Sequence, residues 1–99
     1  MTVVVNIEVK AADGRRQELM DKLASILPDT QAFEGCLSVE VVVPRDDDDS
    51  IWLLERWEAI DNYHAYKAWR GETGTSVLAS DLIDGPPRVT IADPFWPGS

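Results

Sequence analysis

An α+β fold with the element order β-α-β-β-α-β is predicted from three patterns in this 99-residue sequence. Four short segments rich in Val, Ile and Leu alternate in the manner of β-strands. Two longer segments carry apolar residues at helical spacing. The third pattern is a short acidic loop between the two middle strands. This order is typical of the split βαβ, ferredoxin-like arrangement, in which a four-stranded antiparallel sheet carries its helices on one face.

The first half of the chain is predicted to form a strand, a helix and a second strand. Thr2–Lys10 alternates valine and isoleucine on one face with mixed residues on the other, where Asn6 stands mid-strand. A water-facing position and a pocket-lining position both remain open for this asparagine. Arg15–Leu27 carries an apolar helical stripe, which Pro28 is expected to break or kink. Cys36–Val43 is the second strand.

The second half repeats the pattern in the order strand, helix, strand. Ile51–Trp57 is rich in aliphatic and aromatic residues and is predicted as the third strand. Ile60–Arg70 is predicted as a helix that ends at Gly71, a residue suited to a left-handed cap. A further helix over Ser76–Ile83 and a fourth strand over Arg88–Ala92 complete the prediction.

Residues 1–93 are expected to form one domain, followed by a tail over residues 94–99. The tail contains Phe95 and Trp96, whose exposure to water costs roughly 25 cal/mol per Å² of apolar surface. We expect these rings to dock on their own domain or on a partner chain. Both faces of the predicted sheet are largely apolar, whereas helices can cover only one face. A second copy of the chain on the open face, in a two-fold homodimer, is therefore predicted.

Composition and charge exclude several classes of function. A net charge of −9 argues against nucleic-acid binding and against anionic membrane surfaces. No apolar run approaches the ~20 residues of a membrane span, and no export signal is recognisable, so a cytoplasmic protein is expected. Cys36 and His64 are each the only residue of their type, which excludes cysteine clusters and multi-histidine metal sites. The acidic run 46–49 lacks the alternating ligands and glycine of a calcium loop. No metal is expected.

The aromatic stretch from Ile51 to Gly71 holds the candidate site residues. Tyr63, Tyr66 and Arg70 recur at i, i+3 and i+7, so one helical face carries two phenols and a cation just after a strand-end tryptophan, Trp57. Core packing and the wall of a ligand cavity are both open explanations for these aromatic side chains. His64 follows Tyr63 and is turned about 100° away from it, which favours the surface. If it turned inward instead, its imidazole would be a candidate general base.

The chain resembles the antibiotic biosynthesis monooxygenase (ABM) superfamily over residues 2–92. The resemblance is carried by the element order, by the segment Phe33–Ser38 (FEGCLS) leading into the second strand, and by the segment Glu55–Glu58 (ERWE) leading into an aromatic helix. It implies a dimeric α+β barrel built from two chains. It also implies a small aromatic or hydrophobic ligand.

Two branches of this superfamily are comparable with the sequence. The quinone-forming monooxygenases oxygenate phenolic anthrone-type compounds without metal or flavin, and the tryptophan and tyrosine of their pattern are matched by Trp57 and Tyr63. Their asparagine and arginine fall on Leu53 and near Val77, and Arg70 is a poor substitute for that arginine. The haem-degrading branch uses a first-strand asparagine, matched by Asn6. Its tryptophan position is occupied by a tyrosine and its histidine position falls near a serine, which disfavours haem.

The resemblance therefore implies a cofactor-independent monooxygenase-like protein that acts on an aromatic, phenolic or quinone-like small molecule. The candidate catalytic residues are Trp57, Tyr63 and Asn6, and the candidate substrate-binding residues are Tyr66, Arg70 and His64. The alternative is a non-catalytic dimeric module that binds a small hydrophobic ligand or serves a structural role. The apolar residues at the two unmatched positions favour this alternative.

Overall fold

The strands and helices follow the predicted order. The computed structural model describes residues 2–77 and 80–96. The elements in chain order are β1 (Val3–Lys10), α1 (Arg16–Ala32), β2 (Cys36–Val42), β3 (Ser50–Trp57), α2 (Ile60–Thr73) and β4 (Arg88–Ala92). The four strands form one antiparallel sheet in the order β2-β3-β1-β4. The predicted ferredoxin-like α+β fold is confirmed.

The core lies between the sheet and the two helices. Alternate residues of the two central strands point toward the helices and are buried, because successive strand side chains face opposite sides of a sheet. The inward side chains of β1 and β3 are Val3, Val5, Ile7, Val9, Ile51, Leu53, Glu55 and Trp57. From α1, Leu19 and Leu23 pack against them. One of these inward positions is a glutamate, which has consequences for the site described below.

Both predicted helix ends were wrong. The first helix continues past Pro28 to Ala32, because Thr30 in its last turn is buried and bonded to side chains of α2. The second helix continues past Gly71, and its left-handed cap is Gly74, with φ of +66°. In both places a tertiary contact or the cap geometry outweighs a local stop signal.

Of the predicted helix Ser76–Ile83, the described residues show a 3-10 turn at Val77, whose carbonyl accepts from the Ser80 amide at 3.1 Å, and no α-helix. Leu78 and Ala79 lie outside the described residues, and residues 80–82 form a bend and a turn. Backbone groups here bond back to the end of β1: the Leu82 carbonyl accepts from the Ala12 amide at 2.8 Å, and Ile83 forms an isolated bridge with Ala11. These bonds to a distant segment of the same chain take the place of the i→i+4 bonds that an α-helix needs.

The outer face of the sheet, which the helices do not cover, mixes apolar and polar side chains. The strand register places Val4, Val42, Trp52 and Leu54 there beside Asn6, Glu8, Ser38, Glu40, Arg56, Arg88 and Thr90. The prediction of an apolar outer face was therefore wrong in part, because polar residues occupy most of its central rows. In the tail, Phe95 and Trp96 are 93% and 83% exposed and do not pack on their own domain. In the described residues, no helix is long and apolar enough to cross a membrane.

Candidate functional site

A cavity of about 310 Å³ lies between the inner face of the sheet and the two helices. Its volume is within the range of small-molecule sites. Most of its wall is apolar and comes from Ile7, Leu23, Ile26, Leu27, Leu53, Val77, Pro87 and Val89. The polar part of the wall consists of Glu55, Tyr63, Tyr66, Lys67, Arg70 and Ser76. An aromatic body would fit such a wall, and the few polar groups would fix its orientation.

Helix α2 supplies most of the polar side of the cavity. Tyr63, Tyr66, Lys67 and Arg70 recur at i, i+3, i+4 and i+7, so they emerge on the side of the helix that faces the sheet. Tyr63 and Arg70 are buried, whereas Lys67 is exposed. The predicted grouping of both tyrosines with the arginine is therefore present, and the exposed lysine stands at the solvent side of the cavity.

The guanidinium of Arg70 is held by four hydrogen bonds to neutral acceptors. Nε donates to the Tyr66 hydroxyl at 3.0 Å, and Nη1 donates to Oγ1 of Thr75 at 3.1 Å. Nη2 donates to the Ile26 carbonyl at 2.8 Å and to Oγ1 of Thr30 at 3.0 Å. Because a guanidinium has five N–H donors, one N–H of Nη1 has no partner among the described residues. The side chain is fixed in place and still has one donor to offer.

The positive charge of Arg70 is buried without a neighbouring carboxylate. The side chain is only 4% exposed, and in the part of the chain that the structure describes no carboxylate oxygen lies within 4.0 Å of its nitrogens. The guanidinium stacks instead on Tyr66 and Trp69, with its central carbon 5.3 and 4.8 Å from the ring centres. A buried cation without an ion-pair partner attracts any anionic oxygen that enters the cavity.

Among the described residues, one carboxylate also lines the cavity, that of Glu55 on β3. Its side chain is 2% exposed, and Oε1 accepts a hydrogen bond from Nε1 of Trp57 at 3.0 Å. Among the described residues, Oε2 accepts no hydrogen bond. Burial raises the pKa of Glu55, and this effect outweighs the hydrogen bond from Trp57 and the charge of Arg70, which both lower the pKa. The carboxyl group is therefore a stronger proton acceptor than an exposed glutamate.

The indole of Trp57 is completely buried and does not line the cavity. Its ring packs against Phe33, Tyr63 and Tyr66, with ring centres 6.2, 6.0 and 5.2 Å apart. The indole therefore supports the cavity wall from behind. It contacts the polar side of the site through its Nε1–H group, which donates a hydrogen bond to Glu55.

The hydroxyl of Tyr63 stays protonated throughout the physiological range. Burial, the charge of Glu55 and the neighbouring Tyr66 together raise the pKa of Tyr63 to about 12. A phenol in this state can donate a hydrogen bond to a ligand oxygen, but it cannot act as a base near neutral pH.

Besides Trp57, two other predicted site residues do not line the cavity. Asn6 lies on the outer face of the sheet, opposite Leu54 and Thr90, because its position in β1 is out of phase with the inward valines. Its Nδ2 is 3.5 Å from Oε2 of Glu8. His64 is exposed on α2 and does not line the cavity, although its ring centre is 6.1 Å from that of Tyr63. In the described residues no three His, Cys, Asp or Glu side chains are grouped as metal ligands would be.

Glu55 and Thr30 are site residues that the sequence interpretation missed. The signal for Glu55 was the alternation of β3, which puts it in line with Ile51, Leu53 and Trp57 on an otherwise apolar face. A charged residue in an apolar register is a functional candidate, because burial of a charge is costly. Thr30 gave no comparable signal, since its role depends on the continuation of α1 beyond the proline.

Replacement of Glu55 by glutamine is expected to stabilise the fold at neutral pH. Since the pKa of Glu55 is raised in the folded state, its contribution to stability is full below the unfolded value of about 4.5 and is lost as the pH rises through the folded value. Thermal melts of Glu55→Gln should therefore show a higher Tm than the native chain at pH 7–8, by about 4–8 °C for each kcal/mol relieved. The difference should shrink toward pH 4.5. Glu58→Gln removes an exposed carboxylate and is the control; a pH-independent difference for Glu55→Gln would contradict the expectation.

Comparison with known proteins agrees with the fold. The profile of the family described as antibiotic biosynthesis monooxygenase matches residues 2–74. A protein from Escherichia coli K12 described as probable quinol monooxygenase YgiN is 28% identical over 78 residues, which cover 67% of this chain and 71% of the relative.

Solved structures share the same fold. The structure of Rv0793 from Mycobacterium tuberculosis superposes with a TM-score of 0.85 at 20% identity and covers 100% of both chains. That of PA3566 from Pseudomonas aeruginosa gives 0.81 at 16% identity and covers 95% of this chain and 94% of its own. At these identities the likeness concerns the fold alone. The family profile spans most of the chain, and the chain therefore belongs to the antibiotic biosynthesis monooxygenase family.

Proposed function

We propose that this protein is a cofactor-independent monooxygenase that oxidises a neutral aromatic, phenolic or quinol-type compound in the cavity between sheet and helices. The observation that carries the proposal is an apolar cavity of about 310 Å³ whose wall holds one buried carboxylate, Glu55, and one buried guanidinium, Arg70. The name of the E. coli relative, a probable quinol monooxygenase, supports the same substrate class.

The arrangement suits the reaction of an aryl oxide with oxygen. An electron-rich phenol reacts with O2 as its anion, so the protein must remove a proton and stabilise the negative oxygen that results. Arg70 and the neutral hydroxyl of Tyr63 are the donors for that oxygen. Tyr66 forms part of the wall against which the aromatic body would pack, and Trp57 supports it from behind.

Oxygen uptake with small hydroquinones and naphthols tests this function. Uptake should depend on the protein, and in ¹⁸O2 one labelled oxygen atom should appear in the organic product, as a monooxygenase requires. Val89→Trp places a large ring in the cavity wall at a partly exposed strand and should lower kcat/KM at least about tenfold. Val41→Trp is the matched control, because Val41 is a partly exposed inward valine on the opposite edge strand, outside the cavity wall. Equal activity of both variants would contradict the site.

A second candidate function is ligand binding without catalysis. It is favoured by Leu53 and Val77, which line the cavity where the quinone-forming branch has an asparagine and an arginine. Calorimetric titration with the same phenols separates the two candidates. Binding that is blocked by Val89→Trp, together with no protein-dependent oxygen uptake, would favour the binding module.

We also propose that two copies pair through the outer face of the sheet. Trp52, Leu54 and Val4 are the apolar side chains that the two central strands present on this face. The registers of β1 with β3 and with β4 place polar residues among them, with Glu8 opposite Arg88. Light scattering at micromolar concentration should report twice the chain mass, and Trp52→Glu, which adds a charge to this face, should return it to a single chain. A native protein that scatters as a monomer would contradict this proposal.

A further inference from the structure

We propose that Glu55 is the general base of this cavity and that Trp57 acts through it as a positioning residue; this inference rests on the proposed function. The two side chains are two residues apart on β3 and both point inward. They are joined by the hydrogen bond from the indole Nε1 to Oε1 of the carboxylate, at 3.0 Å.

The two oxygens of Glu55 have different surroundings. The indole N–H engages Oε1 and thereby fixes the rotation of the carboxylate. Oε2 accepts no hydrogen bond from the described residues, although the side chain lines the cavity. A general base must come within hydrogen-bond reach of the proton that it removes. The free oxygen of a fixed carboxylate on the cavity wall meets this requirement.

The charges that face Glu55 favour a transfer of the proton inside the cavity. From α2 the facing groups are Arg70, Lys67, Tyr63 and Tyr66, whereas β1 and α1 contribute only apolar side chains to the wall. From β2, the thiol of Cys36 is close enough for the charge of Glu55 to raise its pKa, after burial as the larger cause.

When the proton moves from a ligand to Glu55, the negative charge moves from the carboxylate to the ligand oxygen. The cavity then holds one anion and one buried cation, as it did before the transfer. Because no net charge is created in the low dielectric of the interior, the step avoids the cost of a new buried ion. The free N–H of Arg70 is available to the oxygen that becomes negative.

Within the substrate class of the proposed function, this arrangement suits neutral compounds that become aryl oxides on loss of one proton. A carboxylate or a ligand already ionised would place a second negative charge beside Glu55, which is unfavourable. Anthrone is used as the probe of the base, because its ring CH2 group loses a proton to give an oxide with its charge on the former ketone oxygen.

The complete reaction of an anthrone balances with O2 as the only other reactant. The CH2 carbon gives one proton to Oε2 of Glu55, and the electron pair of that C–H bond moves through the ring to oxygen. A C–O bond then forms between the same carbon and O2, and the resulting peroxide anion takes the proton back from Glu55. Loss of water from the hydroperoxide leaves a ketone, so that the ring CH2 group and one O2 molecule give a ring carbonyl group and one water molecule. The carbon loses four electrons and the two oxygen atoms gain four.

The first test measures proton removal without oxygen. In anaerobic D2O the native protein should accelerate hydrogen–deuterium exchange at the CH2 group of anthrone, measured by NMR. Glu55→Gln should lose about 10²- to 10⁴-fold of that acceleration, the range expected of a general base. Glu55→Asp retains a carboxylate and should recover part of it, and Glu58→Gln, one residue beyond Trp57 and exposed, should behave as the native protein.

The second test separates positioning from packing. Trp57→Phe retains an aromatic ring but removes the N–H group that favours the charged form of Glu55, so the acidic limb of the exchange rate should move to higher pH. A loss of rate with an unchanged pH profile would show that Trp57 serves packing alone and would overturn its role. Full exchange activity in Glu55→Gln, or no acceleration by the native protein, would overturn the assignment of Glu55 as the general base.

Aerobic assays distinguish this inference from the proposed function. Exchange that depends on Glu55, combined with no oxygen uptake, would support the role of Glu55 as general base and refute the monooxygenase function. Oxygen uptake by the native protein that persists in Glu55→Gln would support the monooxygenase function and refute the role of Glu55.

Discussion

Substitution of Gly35 by alanine should lower the free energy of unfolding by about 2–5 kcal/mol, or on the order of 10–30 °C in Tm. Gly35 has φ of +87°, where a side chain costs about 1–2 kcal/mol. A Cβ atom there would lie 2.6 Å from Cβ of Asn62 and closer still to its amide group. Overpacking of this kind costs about 1–3 kcal/mol. The backbone at Gly35 cannot easily shift away from Asn62, because the Gly35 carbonyl accepts a hydrogen bond from the Glu58 amide at 2.8 Å.

Gly14 provides the matched control for this prediction. It also has a positive φ, of +72°, but nothing lies within 4 Å of a Cβ atom placed there. Gly14→Ala should therefore show only the backbone cost of about 1–2 kcal/mol. Asn62→Gly removes the obstructing side chain, and in that background Gly35→Ala should cost less than in the native chain. Equal losses at the two glycines in denaturant unfolding would contradict the steric argument.

Trp57→Ala should lower the free energy of unfolding by about 3–5 kcal/mol, the range for deletion of a buried aromatic side chain. The indole is completely buried and packs on three rings from the two helical regions, those of Phe33, Tyr63 and Tyr66. Its removal also leaves Oε1 of Glu55 without its donor. Because such a loss is a large share of the stability of a small domain, the variant should be substantially unfolded near body temperature. Unfolding in guanidinium chloride measures the change.

A double-mutant cycle separates the hydrogen bond from the packing. Trp57→Phe keeps a ring but leaves a buried acceptor unsatisfied, which costs about 1–3 kcal/mol beyond the lost volume. In a Glu55→Met background no acceptor is present, so the same Trp57→Phe change should cost less. An identical cost in both backgrounds would show that the hydrogen bond contributes nothing to stability. Trp96→Ala, on the exposed tail, should change the stability of the domain by no more than about 0.5 kcal/mol.

The order of strands and helices could be predicted because their periodicity is local. Alternation in β1 and β3 identifies the buried faces correctly, and this same alternation would have identified Glu55 as an inward carboxylate. In β2 a register shift between Cys36 and Ser38 breaks the alternation: Cys36 pairs with Trp57, and Val39 with Glu55, on the same face. A bulge of this kind is set by strand pairing and leaves no clear mark in the sequence.

The helix ends could not be predicted because tertiary contacts decide them. Pro28 is a local stop signal, yet the turn beyond it is held by Thr30, which bonds to Arg70 of the other helix. Gly71 and Gly74 are both plausible caps in the sequence. Arg70 distinguishes them, since its side chain bonds to Thr75 and its carbonyl accepts from the amide of that same residue.

The candidate site was predictable where it depends on one helix and not where it depends on the sheet. Helical spacing is sufficient to bring Tyr63, Tyr66 and Arg70 together, and the structure has them on one wall. To place Asn6 correctly, one must know which face of β1 meets the helices. The sequence carries that information only in the alternate valines and isoleucine of β1, with which Asn6 is out of phase.

The central position of β1 has a consequence for how the chain is made. Within the sheet, the first strand in chain order pairs on one side with β3 and on the other with β4, the last strand in chain order. Val4 and Ala92 are direct partners, so this pairing joins the two strands that lie farthest apart in the sequence of the domain. Topologies with such distant pairings fold slowly, because a long loop must close before its contacts form. Until β4 leaves the ribosome, β1 has an unpaired edge that can pair with another chain. The exposure of this edge of β1 to aggregation therefore lasts until β4 has been synthesised and paired.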